Sequence, residues 1–113
     1  MVAERLLATV LTTTSFYMSR DLMARGRPNH AASVLGVACG IDDDNPVIWY
    51  NRACALALAG SRSAALDALE AAVERGFNDL ELMSGDSDLD SIRGTDRYRE
   101  LVKQLRGAGR EPR

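Results

Sequence analysis

Four residues recur at one spacing and in one order: Gly26, Ala31, Leu35 and Ala38 return as Gly60, Ala65, Leu69 and Ala72, each pair 34 residues apart. A fixed period of that length marks a chain built from repeated supersecondary units. Small residues let two antiparallel helices approach closely, and glycine supplies the positive φ that the turn between them needs. Met18, Leu22 and Met23 lead into Gly26, and Trp49, Leu56 and Leu58 lead into Gly60, so each stretch reads as a helical run closed by glycine. Pro28 at a first helical turn and Ser61 as an N-cap then begin the second helix of each unit. Each unit is expected to be helix, turn, helix.

Within the second unit, Trp49, Ala53, Leu56, Gly60, Ala65, Leu69 and Ala72 resemble the signature of the tetratricopeptide repeat family over residues 46 to 76. Arg52 stands where that pattern usually has leucine, and Phe77 where it usually has proline. The first unit keeps Gly26, Ala31, Leu35 and Ala38 but has Ser15 for the large aromatic and Ser19 for the small glycine. Beyond Gly76, Phe77-Asn78-Asp79, Asp88-Leu89, Ile92-Arg93 and Tyr98 through Leu101 are similar to the closing segment of many bacterial arrays of this family. The resemblance implies an all-α fold, a right-handed superhelical stack of antiparallel helix pairs. It divides the chain into an N-terminal helical extension (1–11), repeats at 12–45 and 46–79, and capping helices (80–105). Asn78 with Glu81 is expected to start a short helix and Thr95-Asp96 a final one, whose Tyr98, Leu101, Val102 and Leu105 share a face able to seal the last repeat. The Gly- and Arg-rich end, 106–113, reads as a flexible tail.

In this family the first helix of each pair lines a concave groove. Carried over, that places Thr13, Phe16, Tyr17, Arg20 and Met23 on the groove from the first repeat, and Val47, Tyr50, Asn51, Cys54 and Leu58 from the second. Aromatics and methionine with a few polar groups suit a protein-binding surface, so the expected function is an adaptor or scaffold that holds a peptide or helix of a partner protein. For Tyr17 and Tyr50 a 3.6-residue period does not separate groove from core. Some members clamp an acidic C-terminus. Asn51 matches that clamp's asparagine, but Phe16, Arg20, Glu81 and Gly85 occupy its other places, so the clamp is incomplete. Leu6, Leu7, Val10 and Leu11 give the N-terminal stretch an apolar face that either folds back onto the domain or pairs with a second copy, the homodimer being favoured.

Composition excludes other classes. Fourteen basic and sixteen acidic residues are interspersed, leaving no basic face for nucleic acid. No apolar run is long enough for a membrane span, and Glu4 and Arg5 at the front of Leu6–Met18, with no small-residue cleavage site after it, argue against a signal peptide; a cytoplasmic protein is expected. Cys39 and Cys54 have no close Cys or His companions and read as buried free thiols. Asp86, Asp88 and Asp90 resemble the opening of a calcium loop, yet Ser91 and Arg97 stand where glycine and glutamate are required, so helix capping accounts for them. Asp42, Asp43 and Asp44 likewise suit the approach to a helix N-terminus. His30, the only histidine, has no sequence neighbour to make it a base, and no serine sits in a nucleophile-elbow pattern. No enzyme activity, cofactor or metal is expected.

Overall fold

The computed structural model describes residues 2–110, with side chains to residue 107. Among the described residues the chain is all helical. Four helices come first: α1 (Val2–Ala24), α2 (Pro28–Ile41), α3 (Pro46–Leu58) and α4 (Arg62–Glu74). Shorter pieces follow: α5 (Leu80–Gly85), a 3-10 turn (Ser87–Leu89), α6 (Asp90–Arg93) and the longer α7 (Asp96–Arg110).

Three of these helices end in the same way. Gly26, Gly60 and Gly76 have φ of 75°, 86° and 106°. The Gly26 N–H donates to the Met23 carbonyl (3.1 Å) and the Arg27 N–H to that of Leu22 (2.8 Å). Gly60 and Ser61 repeat the pair on Ala57 and Leu56, and Gly76 and Phe77 on Val73 and Ala72. This Schellman closure satisfies carbonyls that the end of a helix leaves free, and it reverses the chain within a few residues. At the other ends, Asn45 accepts a bond from the Val47 N–H (3.0 Å) with Pro46 next to it, and Thr95 Oγ1 accepts from the Tyr98 N–H (3.2 Å). Two expected caps differ. Ser61 occupies the N-cap of α4 but its hydroxyl makes no capping bond. Asp79, and not Asn78, caps α5, accepting from the Leu82 N–H at 3.0 Å, because helical geometry after the Gly76 turn begins only at Leu80.

Consecutive helices pack on one another, α1 on α2, α2 on α3 and α3 on α4. Ala31, Leu35, Ala38, Ala65, Leu69 and Ala72 have no exposed surface, so the 34-residue recurrence is a packing pattern with the glycines as its hinges. One core cluster joins α2 to Ile48 and Ala55 of α3. The other joins Ala53, Ala57, Leu66 and Leu69 to Met83, Leu89, Ile92, Tyr98 and Leu101. Met23, Trp49 and Leu56 pack against both. Ser19 is buried in α1 with its hydroxyl donating to the Phe16 carbonyl (2.8 Å), and so serves as a small residue despite its polarity.

Polar bonds fasten the C-terminal pieces. Arg93 donates to the carbonyls of Met83 (2.9 Å) and Asp86 and to the Tyr98 hydroxyl (3.0 Å). Arg97 on α7 grips Glu70 (2.8 Å) and Asp67 (2.7 Å) of α4, and Ser91 donates to the Ala57 carbonyl of α3 (3.2 Å).

The N-terminal helical extension is continuous with the first helix: α1 runs unbroken from Val2, with no glycine or proline to interrupt it, and does not fold back onto the domain. Leu6, Leu7 and Val10 are each more than half exposed, and Leu11 is also exposed. Of the expected flexible tail, 106–110 continues α7, since isolated glycines weaken a helix without ending it, and 111–113 lie outside the described residues. No described helix is long and apolar enough to cross a membrane.

A Cβ added at Gly60 would meet nothing within 4 Å, so replacement there strains only the backbone. Gly60→Ala is expected to cost about 1 kcal/mol in urea unfolding, and Gly60→Asn less, because asparagine tolerates positive φ. An alanine variant as stable as the parent would show that the turn does not need this conformation.

Candidate functional site

The same helical spacing appears twice on α1 and α3. Phe16, Ser19, Arg20 and Met23 fall at i, i+3, i+4 and i+7, as do Val47, Tyr50, Asn51 and Cys54. Each set therefore shares one face of its helix. Both faces open on one cleft of about 660 Å3, whose remaining wall is the chain from Gly76 through Asp79 with Leu82, Asp86 and Asp88. That volume lies within the range of ligand-binding clefts.

Tyr50 sits at the join. Its ring stacks on Phe77 with centroids 4.4 Å apart and planes 8° from parallel, and its hydroxyl donates to Asp86 Oδ2 at 2.6 Å. The Cys54 thiol approaches the same oxygen at 3.6 Å, while Asp86 Oδ1 accepts from the Asp88 N–H at 3.0 Å. Burial, reinforced by Asp86, pushes the pKa of the Tyr50 phenol and of the Cys54 thiol well above their ordinary values. Both groups keep their protons at neutral pH, and Cys54 is not a thiolate nucleophile. Burial, then Asp86 and Asp90, also raise the Asp88 carboxyl above its usual value. Cys54, Asp86 and Asp88 can bring one ligand atom each to within 4.8 Å of one another, a metal-sized arrangement that the sequence spacing does not disclose. A metal there would have to displace the thiol proton and compete with the Tyr50 hydroxyl for Asp86.

Of the residues assigned to a groove by sequence, Phe16, Arg20, Met23, Val47, Tyr50, Asn51 and Cys54 line this cleft. Tyr17 and Leu58 do not. Tyr17 is 66% exposed and meets Phe16 edge-on at 5.4 Å, while Leu58 is exposed near the end of α3. Thr13 is exposed outside the cleft. The question left open for the two tyrosines resolves differently for each: Tyr17 is on the surface, and Tyr50 is a core residue whose hydroxyl reaches the acidic wall. Phe77, Asp79, Leu82, Asp86 and Asp88 were not assigned to a site from the sequence. Asp86 does cap a helical turn, as its spacing suggested, but its bond to Tyr50 spans 36 residues and has no local signature. His30 is exposed and lies outside the cleft.

No family model, curated protein or solved structure matches this chain.

Asp88 supplies a direct check on the electrostatics. Well below the usual carboxylate range it is protonated in the folded and unfolded chain alike, and its burial and repulsion cost nothing. As pH rises the unfolded chain ionises first, and the penalty is complete only above the raised folded value. Asp88→Asn is therefore expected to raise the urea midpoint at about pH 7 and to leave it unchanged at about pH 2. A gain of equal size at both pH values would remove the charge explanation.

Proposed function

We propose that the protein is a short tetratricopeptide-type stack of two helical hairpins whose cleft holds a peptide or helix of a partner protein. The observation that supports this most is that the same i, i+3, i+4, i+7 face of α1 and of α3, the first helix of each hairpin, opens on one cleft. The equivalent Schellman turns at Gly26 and Gly60 favour stacked units of one kind. Phe16, Met23, Val47 and Leu82 offer apolar and aromatic contact, which interfaces use for its large area. Asn51 lines the same wall, and its buried amide nitrogen has no hydrogen-bond acceptor among the described residues.

Val47 and Leu58 give a matched pair for testing, both about half exposed on α3, one lining the cleft and one outside it. Partner proteins captured from cell extract by the parent chain should be retained by Leu58→Arg and lost by Val47→Arg. Equal retention by both variants, with both still folded by circular dichroism, would take the function away from the cleft.

A second reading, self-association through α1, is favoured by a separate observation. Val2, Leu6, Leu7 and Val10 are 84%, 64%, 59% and 51% exposed on one continuous helix. Contiguous exposed apolar surface of this kind marks interaction sites. On this reading sedimentation should show a dimer that the double variant Leu6→Glu, Val10→Glu dissociates. A parent chain that stays monomeric to high concentration would remove it.

A further inference from the structure

The charges of the cleft are unbalanced. Asp79, Asp86 and Asp88 line it, against Arg20 alone. Arg20 is exposed on α1, with its guanidinium 5.7 Å from the centre of the Phe16 ring. None of the three aspartates has a cation within ion-pairing distance among the described residues. Arg93, the arginine nearest in sequence to Asp86 and Asp88, donates to the backbone carbonyl of Asp86 and pairs instead with Asp90. The three carboxylates differ in what they already do. Asp79 caps α5, and Asp86 accepts from Tyr50 and from the Asp88 N–H. Asp88 is half-buried, and its carboxylate accepts no hydrogen bond among the described residues. A half-buried carboxylate near that of Asp86, with neither cation nor donor among the described residues, is a place where an incoming positive group gains.

We infer that the partner segment held in this cleft carries a lysine or arginine beside a large apolar side chain, the basic group meeting Asp88 and Asp86 and the apolar one resting on Phe16 and Val47. This rests on the peptide-binding reading above and adds the chemistry of the partner. Charge complementarity decides for a basic segment over an acidic one, because an acidic segment would bring a fourth carboxylate to three. An ammonium or guanidinium donates directly to the free carboxylate oxygens, whereas a metal ion drawing on Cys54 would first have to remove a proton that the burial of the thiol holds in place.

The test is to pan a random twelve-residue peptide phage library on the full chain. The enriched peptides are then measured by fluorescence anisotropy against the parent, Val47→Arg and Asp88→Asn. Asp88→Asn removes a charge without removing any hydrogen bond that the carboxylate makes within the fold. Enriched peptides are expected to share an arginine or lysine next to a large apolar residue. They should be lost in Val47→Arg, bind about tenfold more weakly to Asp88→Asn, and weaken further as salt rises. Peptides lost in Val47→Arg but lacking a basic residue, or indifferent to Asp88→Asn, would overturn this inference and leave the peptide-binding reading standing. Peptides that bind only with added zinc, and fail in Cys54→Ser, would give the carboxylates to a metal ion and overturn it also. If no enriched peptide is sensitive to Val47→Arg, both readings fall.

Discussion

The Tyr50 hydroxyl meets Asp86 at 2.6 Å across 36 residues of chain, and the shape of the cleft depends on that bond. Beside it, the segment after Gly76 joins the core with α3 through Phe77, Leu89 and Ile92, and the Ser91 hydroxyl donates to the Ala57 carbonyl farther along that helix at 3.2 Å. The bond adds direction, because a phenol donating to a carboxylate is strong and angular where apolar contact is neither. One residue thereby does two jobs. The ring of Tyr50 belongs to the core, stacked on Phe77, while its oxygen holds the acidic wall in place beside α3.

Two arginines pack over the one tryptophan of the chain. Arg75 lies over the Trp49 ring at 4.5 Å and also donates to the Asp43 carbonyl, which accepts from Trp49 Nε1 at 2.8 Å. Arg52 is 5.7 Å from the same ring and packs by Gly36, where an added Cβ would meet its guanidinium at 3.6 Å. Two guanidiniums thus lie over the indole, and the loop before α3 is tied to the end of α4. Such contacts use the flat, weakly hydrated face of arginine, which lysine would not reproduce. Asp42, Asp43 and Asp44 are consequently more than a solvated approach to a helix: Asp43 is the point at which this cluster closes.

What the sequence disclosed and what it hid follow from range. The turn glycines and the buried alanines and leucines of α2 and α4 were legible, because a helix states its buried face within one or two turns. Phe16, Arg20 and Met23 on α1, with Val47, Asn51 and Cys54 on α3, were grouped only by what the family resemblance implies, and they line one cleft. The third wall was not. Asp86 and Asp88 look like ordinary capping residues, and only the long return of the chain brings them beside Tyr50 and Cys54. The helical N-terminal stretch was legible in its apolar spacing, and α1 runs through it from Val2 to Ala24.

Helix geometry also separates two surfaces of α1 that the sequence placed close together. At about 100° per residue, Phe16, Arg20 and Met23 fall on one side of the helix, next to the buried Thr12 and Ser19. Leu6, Val10 and Tyr17 fall on another stripe, turned away from the core by a third of a circle or more by the same arithmetic. By the same arithmetic Arg20 lies about 40° from Leu6 and about 60° from Tyr17, so the exposed stripe borders the cleft face of α1. The Tyr17 ring, which meets Phe16 edge-on, links the two: a second copy that covered Tyr17 would restrain Phe16, a wall of the cleft.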